Sequence, residues 1–86
     1  MEKTERKWTS LDIYLAAYLA YRGIPVELDV LAGDRVIFTA IQCDELSRLV
    51  SAFSMNDPVP AADYVATLRM LKARMYAARD TARGTR

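Results

Sequence analysis

At 86 residues and 9.7 kDa the chain has room for one small domain, and a chain of this mass buries about 64% of the surface its unfolded form exposes, enough for one modest core. Hydrophobic content of 52% and charged content of 27% describe a globular domain rather than a disordered chain. Net charge is only +1, but residues 1–68 carry −4 and residues 69–86 carry +5, so the basic excess sits at the C-terminal end.

The residue inventory removes most familiar chemistries. There is no histidine, which excludes serine and cysteine triads that use an imidazole, and metal sites built on it. Cys43 is the single cysteine, so no intrachain disulfide or paired-cysteine site is available, and a reducing cytoplasm is the expected setting. Three glycines and neither phosphate-loop pattern argue against nucleotide cradling. No apolar run approaches the roughly 18 residues of a membrane span, and the opening Met1–Lys7 is too polar for a signal peptide. No cofactor, no metal and no membrane partner are expected.

Residues 1–8 read as a disordered or extended charged lead-in ending in Trp8, which is expected to staple the entry of the first helix by packing on it. That helix is predicted over Ser10–Arg22, capped by Thr9 or Ser10, with Asp12 completing a weak capping box. Gly23 and Pro25 supply its stop. Leu11, Leu15 and Leu19 share one arc, Tyr14, Tyr18 and Tyr21 the next, and only Asp12 and Arg22 are charged. A helix this apolar belongs at the centre of a core or an interface.

Two strands follow, Val26–Val30 and Asp34–Ile41, each with period-2 alternation. Leu31-Ala32-Gly33 reads as a three-residue hairpin loop with glycine in the left-handed position. In that register Asp29 faces Arg35, Leu28 faces Val36 and Val26 faces Phe38. One face is apolar, and the other carries Glu27, Asp29, Arg35, Ile37 and Thr39. A second helix spans Asp44–Ser54, with Leu46, Leu49, Val50 and Phe53 on one stripe. Met55–Pro60 is a proline-broken loop. A third helix runs from Ala61 to Arg79 with Tyr64, Val65, Leu68, Leu71, Met75 and Tyr76 as its buried side, and residues 81–86 form a frayed basic tail. The expected fold is a single α+β domain over residues 9–80. Its order is α-β-β-α-α, with a short antiparallel β-hairpin packed against helices.

Thr9-Ser10-Leu11-Asp12-Ile13-Tyr14-Leu15-Ala16-Ala17-Tyr18-Leu19, then Gly23, Val36-Ile37-Phe38, Tyr64 and Leu71-Lys72 resemble a family of short bacterial and phage domains of unknown function. The family pattern opens T-S-x-[DL]-x-L-A-A and ends in a helix with a tyrosine and a Leu-Lys pair. The resemblance covers about residues 9–73. It implies this fold and a mobile-element or prophage setting, and it carries no catalytic residues.

Each candidate site has a plainer counterpart. Arg69, Lys72, Arg79, Arg83 and Arg86 fall on one side of the third helix, with Arg74 apart. They are placed to contact nucleic-acid phosphates, or simply to oppose the helix dipole and keep that end soluble. Tyr14, Tyr18 and Tyr21 suit a partner interface or a core boundary. Ile37 and Ile41 on the hairpin's outer face suit a homodimer interface. The pairs Glu27/Asp29 and Asp44/Glu45 and the thiol of Cys43 are incomplete as catalytic groups. An enzyme would need a concavity gathering at least two of Glu27, Asp29, Asp44 and Cys43. No catalytic residue is assigned and no enzymatic activity is expected. The favoured function is a small interaction or regulatory module, a homodimer with a possible protein partner. The alternative is a nucleic-acid-binding accessory protein.

Overall fold

The computed structural model describes residues 6–84. Three antiparallel strands and three α-helices form a small α+β domain. The strands are β1 (Lys7–Ser10), β2 (Glu27–Val30) and β3 (Val36–Ile41), in the spatial order β1-β3-β2. The helices are α1 (Ile13–Tyr21), α2 (Asp44–Ser54) and α3 (Ala61–Gly84).

β1 is the element the sequence reading lacked. Lys7 and Trp8, the end of the disordered or extended lead-in, and Thr9 and Ser10, expected at the start of the first helix, pair with β3, setting Lys7 opposite Ile41, Trp8 opposite Ala40, Thr9 opposite Thr39 and Ser10 opposite Phe38. The hairpin edge of β3 is thereby closed, and a three-stranded sheet replaces the marginal two-stranded ribbon. Residues 1–5 of the expected lead-in lie outside the described residues, as do residues 85–86 of the tail.

Because Thr9 and Ser10 are spent in the sheet, they cannot cap α1. Asp12 is the N-cap; its Oδ1 accepts from the backbone N–H groups of Tyr14 (2.9 Å) and Leu15 (3.4 Å). Ser10 acts one step earlier, its Oγ accepting from the Asp12 N–H. The stop at Gly23 is where the sequence places it. Gly23 adopts φ +95°, its N–H donates to the Ala20 carbonyl, and the Ile24 N–H donates to the Leu19 carbonyl. That is the full Schellman closure.

Glu27 pairs with Thr39, Leu28 with Phe38 and Val30 with Val36, a register two residues away from the expected one. The turn is longer than three residues. Gly33 (φ +77°) and Asp34 (φ +62°) are both left-handed, around a single 3-10 turn at Ala32–Asp34, and the Leu31 N–H donates to the Arg35 carbonyl across the turn. A two-residue slide keeps every side chain on its face. The apolar face is therefore as expected, but the Asp29–Arg35 pair is not made, and Asp29 stands opposite Ile37.

The core lies on the inner face of the sheet. Ala16, Ala17, Tyr18 and Leu19 of α1 are buried together with Val36, Phe38, Ala40, Leu46, Leu49 and Leu71. Four consecutive buried residues at 100° steps span most of a helix circumference. So α1 is enclosed, as its apolar composition requires: α3 packs along it, α2 packs beside it, and α3 also reaches β2. α2 shows the stripe expected of it, and α3 buries Leu71 with Tyr64, Leu68 and Met75 half-buried. Val65 and Tyr76, expected in that stripe, are exposed at 38% and 55%.

Candidate interaction surface

The helices pack on the inner face of the sheet, and among the described residues none of them lies on the outer face. Lys7, Thr9, Glu27, Asp29, Ile37, Thr39 and Ile41 alternate out of the core along the three strands. None of Ile37, Thr39 and Ile41 belongs to the hydrophobic core cluster. Ile41 is 48% exposed, Ile37 is half-buried, and Thr39 is buried on the central strand between its neighbours Thr9 and Glu27. This face holds an open groove of about 390 Å³ lined by Lys7, Pro25, Glu27, Asp29, Thr39 and Ile41, with Leu28 and Ala40 at its floor. An ammonium stands at the β1 side and carboxylates at the β2 side.

Ile37 and Ile41, singled out in the sequence, are thus brought onto one surface, Ile41 in the groove and Ile37 beside it. Thr39 is on the face expected of it, while Lys7 and Pro25 are additions. Lys7 reaches the face only through the β1–β3 pairing, which no local pattern announces. The groove also gathers Glu27 and Asp29, the minimum of two that an active site would need from Glu27, Asp29, Asp44 and Cys43. Cys43 and Asp44 do not line it. Cys43 is exposed at the N-cap of α2 and makes no side-chain capping bond; Asp44 and Glu45 sit in the first helical turn, where negative charge is favoured, and Glu45 pairs with Arg48. No group of three metal-ligating side chains occurs among the described residues, and none of their helices is long and apolar enough to cross a membrane.

The tyrosines do not form one surface. Tyr14 is 53% exposed, and its carbonyl accepts from the Tyr64 hydroxyl at 2.8 Å. Tyr18 is a core residue, 2% exposed, with its ring 5.3 Å from that of Phe53. Its hydroxyl donates to Asp57 Oδ2 at 2.7 Å. Arg22 bonds the same carboxylate oxygen, and its guanidinium lies 5.5 Å and 5.7 Å from the ring centroids of Tyr18 and Tyr21. Burial, then the Asp57 bond, pushes the Tyr18 hydroxyl above its ordinary pKa. The Tyr18 hydroxyl and then Arg22 hold Asp57 below the usual carboxylate range. This cluster ties the end of α1 to the loop before α3 and is structural. Trp8, half-buried, packs against the core from β1, opposite Ala40.

The cations of α3 are divided by their contacts. Arg74 Nη2 donates to the Val26 carbonyl at 3.0 Å and Arg79 Nε to the Asp34 carbonyl at 2.8 Å. Arg83 lies 3.8 Å from Asp34 and 3.1 Å from Asp80. These three arginines fasten α3 to the hairpin, and the helix runs to Gly84 where a frayed tail was expected. Arg69 is exposed and Lys72 half-buried, neither with an ion-pair partner among the described residues; Arg86 lies outside them. The outward side of α3 also shows Met70 (59% exposed) beside Val65 and Tyr76, the two residues expected in its buried stripe.

Comparison of the chain with protein-family models, with curated proteins and with solved structures gives no match, so the reading of this surface stands on its geometry.

Proposed function

We propose that the chain is a small non-enzymatic interaction or regulatory module of the cytoplasm, and that its working surface is the outer face of the sheet. The observation that carries this reading is the outer face itself, which no helix among the described residues covers. It presents an exposed Ile41, a half-buried Ile37 and an open groove whose two sides differ in charge. Apolar centres rimmed by charge are the usual anatomy of a protein docking site. Self-association into a homodimer is part of this reading. Within the groove stand two exposed carboxylates and an ammonium, with neither imidazole nor thiol, which suits recognition better than catalysis.

The nucleic-acid alternative draws on fewer groups than the sequence promised. Arg74, Arg79 and Arg83 each bind the chain's own backbone or carboxylates, leaving Arg69 and Lys72 among the described residues. The test is site-specific photo-crosslinking in cells, with the photoreactive residue at Ile41 or, as control, at Met55, which is 81% exposed away from the groove. A discrete protein adduct from position 41 and none from 55 is expected. An adduct pattern that is the same at both positions overturns the assignment of the sheet face.

A further inference from the structure

We propose that the occupant of the sheet face is a second copy of this chain, laid face to face about a two-fold axis parallel to β3. The proposal rests on the sheet-face reading above and adds the partner's identity and orientation. Across the strands the outer face runs Lys7, Ile41 and then, where the register continues past β2, Pro25; the next row is Thr9, Thr39, Glu27; the next holds Ile37 and Asp29. A cation therefore lies over β1, isoleucines over β3, and carboxylates over β2.

An axis along β3 carries β1 of one copy over β2 of the other and stacks β3 on β3. Lys7 then meets Glu27 of the second copy one row along, roughly 7 Å of strand, within the reach of a lysine side chain. Ile37 and Ile41 pack on their own symmetry mates. The alternative in-plane axis, across the strands, lays β1 on β1. It sets Lys7 over β1 of the second copy and the carboxylates over its β2, so no ammonium meets a carboxylate, and the charge pattern selects the axis along β3. Two sheets facing each other this way keep their strands within about 30°.

Three strands of at most six residues offer roughly 300 Å² of flat face per copy, against about 800 Å² per partner in a standard stable interface. The dimer is therefore weak, and its test belongs at high protein concentration. Sedimentation equilibrium of the full chain up to about 1 mM is expected to show a monomer–dimer equilibrium that Ile41→Asp abolishes. Lys7→Glu and Glu27→Lys, each alone, are expected to raise the dimer dissociation constant about fivefold or more. Mixing the two variants is expected to restore it, because both contacts of the mixed dimer are again opposite in charge.

A wild-type chain that stays monomeric overturns the second-copy proposal and leaves the sheet face to another protein, which crosslinking at Ile41 decides separately. Dimerisation that Ile41→Asp does not touch places self-association elsewhere and overturns it as well. If both single charge reversals strengthen the dimer, the axis is wrong and the proposal fails. Unchanged circular dichroism and melting of each variant separate loss of association from loss of fold.

Discussion

Tyr18 does two jobs with one side chain: its ring fills the core and its hydroxyl leaves the core to bond Asp57. Tyr18→Phe keeps the ring and is expected to cost about 1 kcal/mol in urea unfolding. Tyr18→Ala loses the ring as well and is expected to cost about 3–5 kcal/mol. The Asp57 carboxylate is held below its ordinary value by the Tyr18 hydroxyl first and Arg22 second. A carboxyl depressed in the folded state adds stability that is present above its unfolded value of about 4 and is lost as pH falls through the folded value. Acid should therefore loosen the junction of α1 with the loop before α3, and Asp57→Asn should flatten that part of the stability–pH curve. Unfolding free energies measured from pH 5 downward check the slope.

At the scale of elements, the ends are decided by backbone geometry more than by side-chain bulk. Gly23 closes α1 with φ +95°, and a Cβ there would meet nothing within 4 Å. Gly23→Ala is then a test of conformation alone. It is expected to cost about 1–2 kcal/mol with no change in packing, measured by thermal or urea unfolding. Asn56 closes α2 in the same way at φ +67°, with the Asp57 N–H donating to the Ala52 carbonyl and the Asn56 N–H to the Phe53 carbonyl. The same loop thus ends a helix and delivers Asp57 to Tyr18. α3 persists to Gly84 because Arg79 and Arg83 hold its C-terminal turns to the Asp34 loop.

At the scale of the whole molecule, the proposed preference for a protein partner rests on how the α3 cations are used. With Arg74, Arg79 and Arg83 engaged in holding α3 to the hairpin and to itself, Arg69 and Lys72 are left among the described residues of the helix and would engage about two phosphates. Binding would then be weak, with a shallow salt slope near −2 in the logarithm. Fluorescence anisotropy with random single- and double-stranded DNA and RNA is expected to show no micromolar binding at about 0.15 M salt. A steep salt dependence at low ionic strength would return the basic helix to the lead. The helices load one side of the sheet, and none among the described residues lies on the other, a division that follows from the alternation along β2 and β3.

Local patterns announced α2 in full, the stop of α1 at Gly23, the apolar face of the hairpin and the placement of Ile37 and Ile41 outside the core. Each depends on neighbours a few residues apart, so periodicity and capping chemistry suffice. The third strand, the hairpin register and the partners of the α3 arginines were not legible. Lys7–Ser10 is too short to declare itself and becomes a strand only because β3 offers it an open edge. A slide of two residues leaves the hydrophobic pattern unchanged, so only the left-handed pair Gly33–Asp34 separates the two registers. Whether an arginine reaches for a phosphate or for the Asp34 carbonyl depends on a residue 45 positions away. Contacts of that range exist only once the chain has packed, and so the division of cations between stapling and surface was settled by the tertiary fold.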